Sequence, residues 1–179
     1  MLVVLILGSP SDKPWAEQIT QALDKYAIPW EVRIASAHKT PQHLLELLTH
    51  YEADPRPKVY ITVAGRSNAL SGFVDAQVVA PVIACPPAAD KFGGADIYSS
   101  LRMPSGVAPA VVLEPGNAAL LAAKVLALGD EGLQARIRQG QEAQRRRLLD
   151  ADVVEATAAT QARSFFTAEN AEKNKEKRH

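Results

Sequence analysis

Residues 2–7 read LVVLIL, six apolar residues with no polar break. A strand with one wet face alternates apolar and polar residues, so an unbroken run needs cover on both faces. That requirement singles out a central strand with helices above and below it. The chain then supplies those helices. From Trp15, apolar residues return at Ile19, Leu23 and Tyr26, the spacing of one helical face. Asp12 stands where an N-cap would, and Pro14 falls in the first turn. WEVRIA (30–35) alternates and suits an edge strand. Thr40 is placed to cap a second helix opened by Pro41, with Leu44, Leu48 and Tyr51 on its face. KVYITVA (58–64), PVIACP (81–86) and APAVVLE (108–114) read as three more strands. Between the first two lies a short helix, NALSGFVDAQV (68–78), weakened by Gly72. NAALLAAKVLAL (117–128) is apolar nearly all round and is predicted to be buried on more than one side.

The β-α-β-α order predicts a three-layer α/β fold with a parallel sheet, helices on both faces and right-handed crossovers. Placing the two wetter strands, the second and fifth, at the edges gives the flavodoxin-like order 2-1-3-4-5. Residues 1–129 are read as this α/β domain. Beyond Gly129 the character changes. Residues 130–149 carry a sparse stripe of Leu133, Ile137 and Leu148, interrupted by Gly140, and 151–167 read as another helix. These C-terminal helices, 130–167, are expected to pack on the domain or on a neighbouring subunit, and 168–179 to form a charged, mobile tail.

Charge narrows the function classes. Lys+Arg and Asp+Glu both number 20, so no overall field draws the chain to nucleic acid or to a membrane. The RRR at 145–147 and the closing KNKEKRH read as solvated helix surface and tail. LVVLIL is too short for a membrane span and lacks the flanks of a signal peptide. A single cysteine rules out an intrachain disulfide and points to a reducing compartment. A soluble, cytoplasmic protein is expected.

In doubly wound folds, ligands sit beyond the carboxyl ends of the strands, at the switch point of strand order. That directs attention to four loops. GSPSD (8–12) leaves the central strand and enters a helix, where free N–H groups suit a phosphate. Ser9 and Ser11 add hydroxyls, and Asp12 can accept from ribose hydroxyls. A simple capped turn fits the same residues equally well. The loop lacks the glycine patterns of dinucleotide sites and P-loops, so neither NAD nor ATP is indicated. SAHKTP (36–41) sets His38, a candidate general base, beside the fixed cation Lys39. Two positive groups at a positive helix end favour a bound anion there; a solvated surface dyad is the alternative. His43 and His50 lie within the second helix and receive no role. AGRSNALSG (64–72) combines Gly65, which permits close backbone approach, with the donors Arg66, Ser67 and Asn68 at a helix start. This suits a carboxylate, although a capped helix with an exposed arginine also fits. The fourth region, CPPAADKFGGADIYSSLRMPSG (85–106), is a long loop of the kind that is often functional. Cys85 ends an apolar strand and reads as a buried structural thiol. No Cys, His, Asp or Glu cluster has metal-site spacing.

Taken together, GSPSD, SAHKTP, AGRSNALSG, ACPP and DIYSSLRMPSG resemble the PurE family of phosphoribosylaminoimidazole carboxylases, in order, from about Val3 to Leu128. The mutase branch of that family typically carries SAHR in the second loop and another histidine in the third. Lys39 and GRSN here resemble instead class II, which carboxylates 5-aminoimidazole ribonucleotide (AIR) directly with CO2 in de novo purine biosynthesis. The carboxylase domain of the animal bifunctional enzyme is similar in these loops, but no synthetase domain is expected to follow here. The resemblance implies catalytic roles for His38 and Lys39, with His38 moving the C4 proton. It implies that Ser9, Ser11 and Lys39 hold the phosphate, Asp12 and Ser36 the ribose side, and Gly65, Arg66 and Ser67 the CO2 or carboxylate, with Lys39 open to either role. It implies AIR and CO2 or bicarbonate as substrates, no biotin, ATP or metal, and a homo-oligomer, an octamer or a tetramer. The rival readings are an N5-carboxyaminoimidazole ribonucleotide mutase and a non-enzymatic nucleotide-binding module that would not need His38.

Overall fold

A computed structural model describes residues 1–87 and 91–176, with side chains described as far as residue 157 and not at Lys91. Five strands, β1 (Leu2–Leu7), β2 (Trp30–Ile34), β3 (Lys58–Val63), β4 (Val82–Ala84) and β5 (Ala110–Val111), form one sheet in the order 2-1-3-4-5. Every pairing in it is parallel, with Leu2 opposite Lys58 and Leu7 opposite Val63 across the β1–β3 boundary. The helices are α1 (Lys13–Asp24), α2 (Pro41–Glu52), α3 (Leu70–Asp75), α4 (Tyr98–Leu101), α5 (Pro115–Leu126) and α6 (Glu131–Glu176).

The apolar run at the start of the chain is the centre of this arrangement. Val3, Leu5 and Leu7 point into one core with Ile19, Leu23, Ala118 and Ala122 of α1 and α5. Leu2, Val4 and Ile6 point into the other, with Leu44, Leu48 and Tyr51 of α2 and Leu70 and Val74 of α3. None of the six is more than 1% exposed. At about 1.5–3 kcal/mol for each buried aliphatic side chain, β1 alone contributes on the order of 10 kcal/mol before chain entropy is counted. Apolar burial therefore holds the sheet.

Helix α5 is buried on two sides within the chain itself. Ala118, Ala119, Ala122 and Ala123 are fully buried, because small side chains let the helix settle against both the sheet and α1. Strand β5 is much shorter than the expected 108–114. Pro109 has no N–H to offer a ladder, and the Ala108 N–H donates instead to Asp75 Oδ2 at 2.7 Å.

The first compact unit runs from Met1 to Ile137. It therefore extends past residue 129, because Leu133 and Ile137 join the core. Where the sequence suggested two helices, α6 is one, and Gly140 does not break it. A lone glycine costs a helix only about 1 kcal/mol. In the second unit, 138–179, Leu148, Leu149, Val153 and Val154 are all exposed. The expected mobile tail, 168–179, lies outside the residues whose side chains are described.

Candidate active site

The chain leaves β1 toward β2 on one side and β3 toward β4 on the other, so the ends of β1 and β3 form the switch point. A cavity of about 630 Å³ opens there, within the ~300–1,000 Å³ typical of small-molecule sites. Ser9, Ser11, Asp12, Ser36, His38, Lys39, Gly65, Arg66 and Ser67 all line it. The nine candidates from three loops thus meet around one space. Ala37, Ala64, Ala69, Leu70 and Pro87 complete the wall; all five fall within the SAHKTP, AGRSNALSG and ACPP stretches, although none was singled out as a candidate.

The floor is set by Gly8. Its N–H donates to the Val63 carbonyl at 2.9 Å, and a Cβ there would lie 3.1 Å from the Ala64 Cβ. The next residues form a short 3₁₀ turn, Pro10–Asp12, capped by Ser9. Ser9 Oγ accepts from the Ser11 N–H at 3.3 Å and from Ser11 Oγ at 2.9 Å. Asp12 precedes α1 as expected but makes no side-chain cap bond. Ser9 caps the turn, which leaves the Asp12 carboxylate at the cavity. Burial raises the pKa of Asp12, partly offset by a backbone hydrogen bond at Ser9 and by the positive charge of Arg66.

The second wall is a turn closed on itself. Thr40 Oγ1 accepts from the Ser36 N–H at 2.9 Å, and Ser36 Oγ accepts from the Lys39 N–H at 3.2 Å. Thr40 thus spends its hydroxyl on Ser36, and no side chain caps α2. His38 and Lys39 are carried at the crest of the turn, both exposed. Lys39 lines the cavity just before the start of α2, and its ammonium suits an anion there.

The third wall contains a strained residue. Arg66 has φ +58°, a conformation non-glycine residues seldom adopt. Its N–H donates to Asp96 Oδ2 at 3.1 Å. Asn68, 3% exposed, accepts from the Ser71 N–H through Oδ1 at 3.2 Å, so it caps α3. Cys85 lies below, fully buried, with its thiol pushed up to about 11 chiefly by desolvation. Such a thiol is a poor nucleophile, in keeping with a structural role. Among the described residues, no group of three or more His, Cys, Asp or Glu side chains is arranged to hold a metal ion, and no helix is long and apolar enough to cross a membrane.

Comparison with known proteins identifies relatives of the chain. The AIR carboxylase family model matches residues 2–147. A phosphoribosylaminoimidazole carboxylase of Treponema denticola is 52% identical over 151 residues, covering 84% of this chain and 95% of that protein. One from Archaeoglobus fulgidus is 55% identical over 152 residues, 85% of this chain and 83% of that protein. The bifunctional carboxylase/succinocarboxamide synthetase of Mus musculus is 40% identical over 136 residues, 76% of this chain but 32% of that longer protein. The crystal structure of Treponema denticola PurE superimposes with a TM-score of 0.83, covering 84% of this chain and 96% of that one. The fold, the family model and these relatives all point the same way, and the chain belongs to the AIR carboxylase (PurE) family.

Proposed function

We propose that this protein carboxylates AIR at C4 with CO2 to give 4-carboxy-AIR, as class II members of the family do. The observation that carries the reading is the cavity itself, lined by one imidazole, His38, with Lys39 beside it and Arg66 in the third wall. The cavity is large enough for a phosphoribosyl aminoimidazole. Its hydroxyls at Ser9 and Ser11 and the cation of Lys39 match a phosphate, and Asp12 can accept from the ribose hydroxyls.

The chemistry follows from the substrate. C4 of AIR is an enamine-like carbon. Its electron pair forms a bond to the carbon of CO2, and one C–O π pair moves onto oxygen to give a carboxylate. C4 then carries both hydrogen and carboxylate. His38 takes that proton, and the C–H electrons return to the ring and restore its aromaticity. Negative charge grows on the CO2 oxygens as the bond forms, so fixed donors at Gly65, Arg66 and Ser67 would act most strongly in the transition state. A positioned acid–base group adds typically ~10²–10⁴ in rate. The scheme needs no ATP or biotin. A mutase would start from the N5-carboxylated nucleotide; the lack of a second imidazole in the GRSN loop favours direct carboxylation. Purified enzyme given AIR should form product in proportion to added bicarbonate. Turnover of only the N5-carboxylated nucleotide would establish the mutase instead, and no turnover of either would leave a binding module.

The reading includes a cytoplasmic location, supported by the lone, buried Cys85, and a homo-oligomer, an octamer or a tetramer. Trp30, Val32 and Ile34, alternate residues of edge strand β2, are 36–38% exposed, an apolar stripe that a second copy could cover. Light scattering that finds only a monomer at micromolar concentration would remove the oligomer.

A further inference from the structure

The third wall is held from a distance. Besides the Arg66 N–H to Asp96 bond, Ser99 Oγ lies 2.9 Å from the Arg66 carbonyl and 2.7 Å from the Asp96 carbonyl, so its single hydrogen is shared between two acceptors. The same oxygen accepts from the Asn68 N–H at 2.9 Å. Asn68 Nδ2 donates to Ser100 Oγ at 2.9 Å, with both residues buried. Both backbone polar groups of the strained residue are thus taken up by Asp96 and Ser99, more than 29 positions along the chain. Asp96 and Ser99 are half-buried polar residues, so apolar packing does not explain them. A left-handed non-glycine residue persists only where its surroundings over-determine it.

We propose that Asp96 and Ser99 are positioning residues for the carboxylation. They lock Arg66 in its left-handed conformation, and so hold the guanidinium and the Gly65–Ser67 backbone against the reacting centre. Without the lock, residue 66 relaxes toward negative φ and the donors move off the carboxylate. The phosphate end, built by Ser9, Ser11 and Lys39, contains neither residue and stays in place. This inference rests on the reading of the third loop as the CO2 or carboxylate pocket.

The test compares Asp96→Ala and Ser99→Ala with wild type in steady-state assays over bicarbonate and in calorimetry with AIR alone. Losing a hydrogen bond to a charged acceptor, or one that restrains a strained loop, corresponds to roughly tenfold or more in kcat/KM for bicarbonate. The expected result is that loss, with AIR affinity changed less than about threefold. Asp96→Asn keeps an acceptor oxygen and Ser99→Thr keeps a hydroxyl, so both should recover most of the activity; a role in folding alone would not produce that split. Asp96→Glu, which keeps the charge but moves the acceptor by one methylene, should fold and still lose activity. Arg66→Ala separates the two layers of the argument. If it leaves the bicarbonate dependence unchanged, the loop is not the carboxylate pocket. If it is impaired while Asp96→Ala and Ser99→Ala behave as wild type, the positioning role is overturned. Parallel losses of AIR affinity and turnover in the alanine variants would overturn it as well.

Discussion

Gly8→Ala tests whether the spacing of β1 and β3 sets the geometry of the site. The added Cβ would lie 3.1 Å from the Ala64 Cβ, against an optimum of about 3.5–4.0 Å between carbons. The two strand ends must therefore part by a few tenths of an ångström or more. Neither partner is a flexible side chain that can swing away, and Ala64 directly follows the buried run Val59–Val63. Overpacking of this kind costs about 1–3 kcal/mol, which for a chain of this size lowers Tm by roughly 2–12 °C. Because the strain falls at the floor of the cavity, it should also move the Ser9–Asp12 turn relative to the Gly65–Ser67 loop, and kcat/KM for AIR should fall with it. The decisive measurement is a double-mutant cycle with Ala64→Gly. Removing the facing Cβ relieves the clash, so the double variant should be more stable than the sum of the singles by about 1 kcal/mol or more. Additivity within about 0.5 kcal/mol, with unchanged kinetics, would refute the argument.

Other expectations concern the charged groups. His38→Asn keeps approximate shape but cannot carry a proton near neutrality; kcat should drop on the order of 10²-fold or more while AIR binding survives, and near-normal kcat would make the histidine structural. Lys39→Ala should weaken binding more than His38→Asn does, because it removes the partner of an anion that is charged throughout the reaction; equal calorimetric affinity for an AIR analogue would disprove the assignment. Asp12 has a raised pKa, so its favourable contribution to folding is present at low pH and is lost as pH rises through that value. Asp12→Asn should therefore raise Tm near pH 7 while weakening AIR binding; a lower Tm in melts at pH 7 would contradict this.

How far the sequence could be read depended on the range of the forces involved. LVVLIL announced a doubly covered strand because burial leaves a local, period-free signature. The wet alternation of WEVRIA placed β2 at an edge for the same reason. The three loops could be read because each follows a strand in a fold whose ligands bind there, and their nine candidate residues line one cavity. What escaped was set by partners far along the chain. The Asp96 and Ser99 contacts with Arg66 have no periodicity to reveal them, and the segment looked only like a long loop. The Asp12 cap failed because Ser9, three residues earlier, caps a 3₁₀ turn that the apolar spacing did not show. Strand β5 is shorter than its apolar run suggests because Pro109 has no N–H for the ladder. The thin apolar stripe near residue 150 suggests a break, whereas the backbone needs only helix-compatible residues to continue.

The lone thiol has a use beyond packing. Cys85 lies at the end of β4, under the loops that wall the cavity, and its Sγ approaches the Leu113 carbonyl at 4.0 Å. Desolvation pushes its pKa up, so the thiol stays protonated, and a reagent cannot reach it while the fold is closed. Alkylation in native buffer therefore clocks the opening of this corner of the sheet, as amide exchange does for a protected N–H. No label needs to be engineered and no other cysteine competes for the reagent. The chain carries its own chronometer.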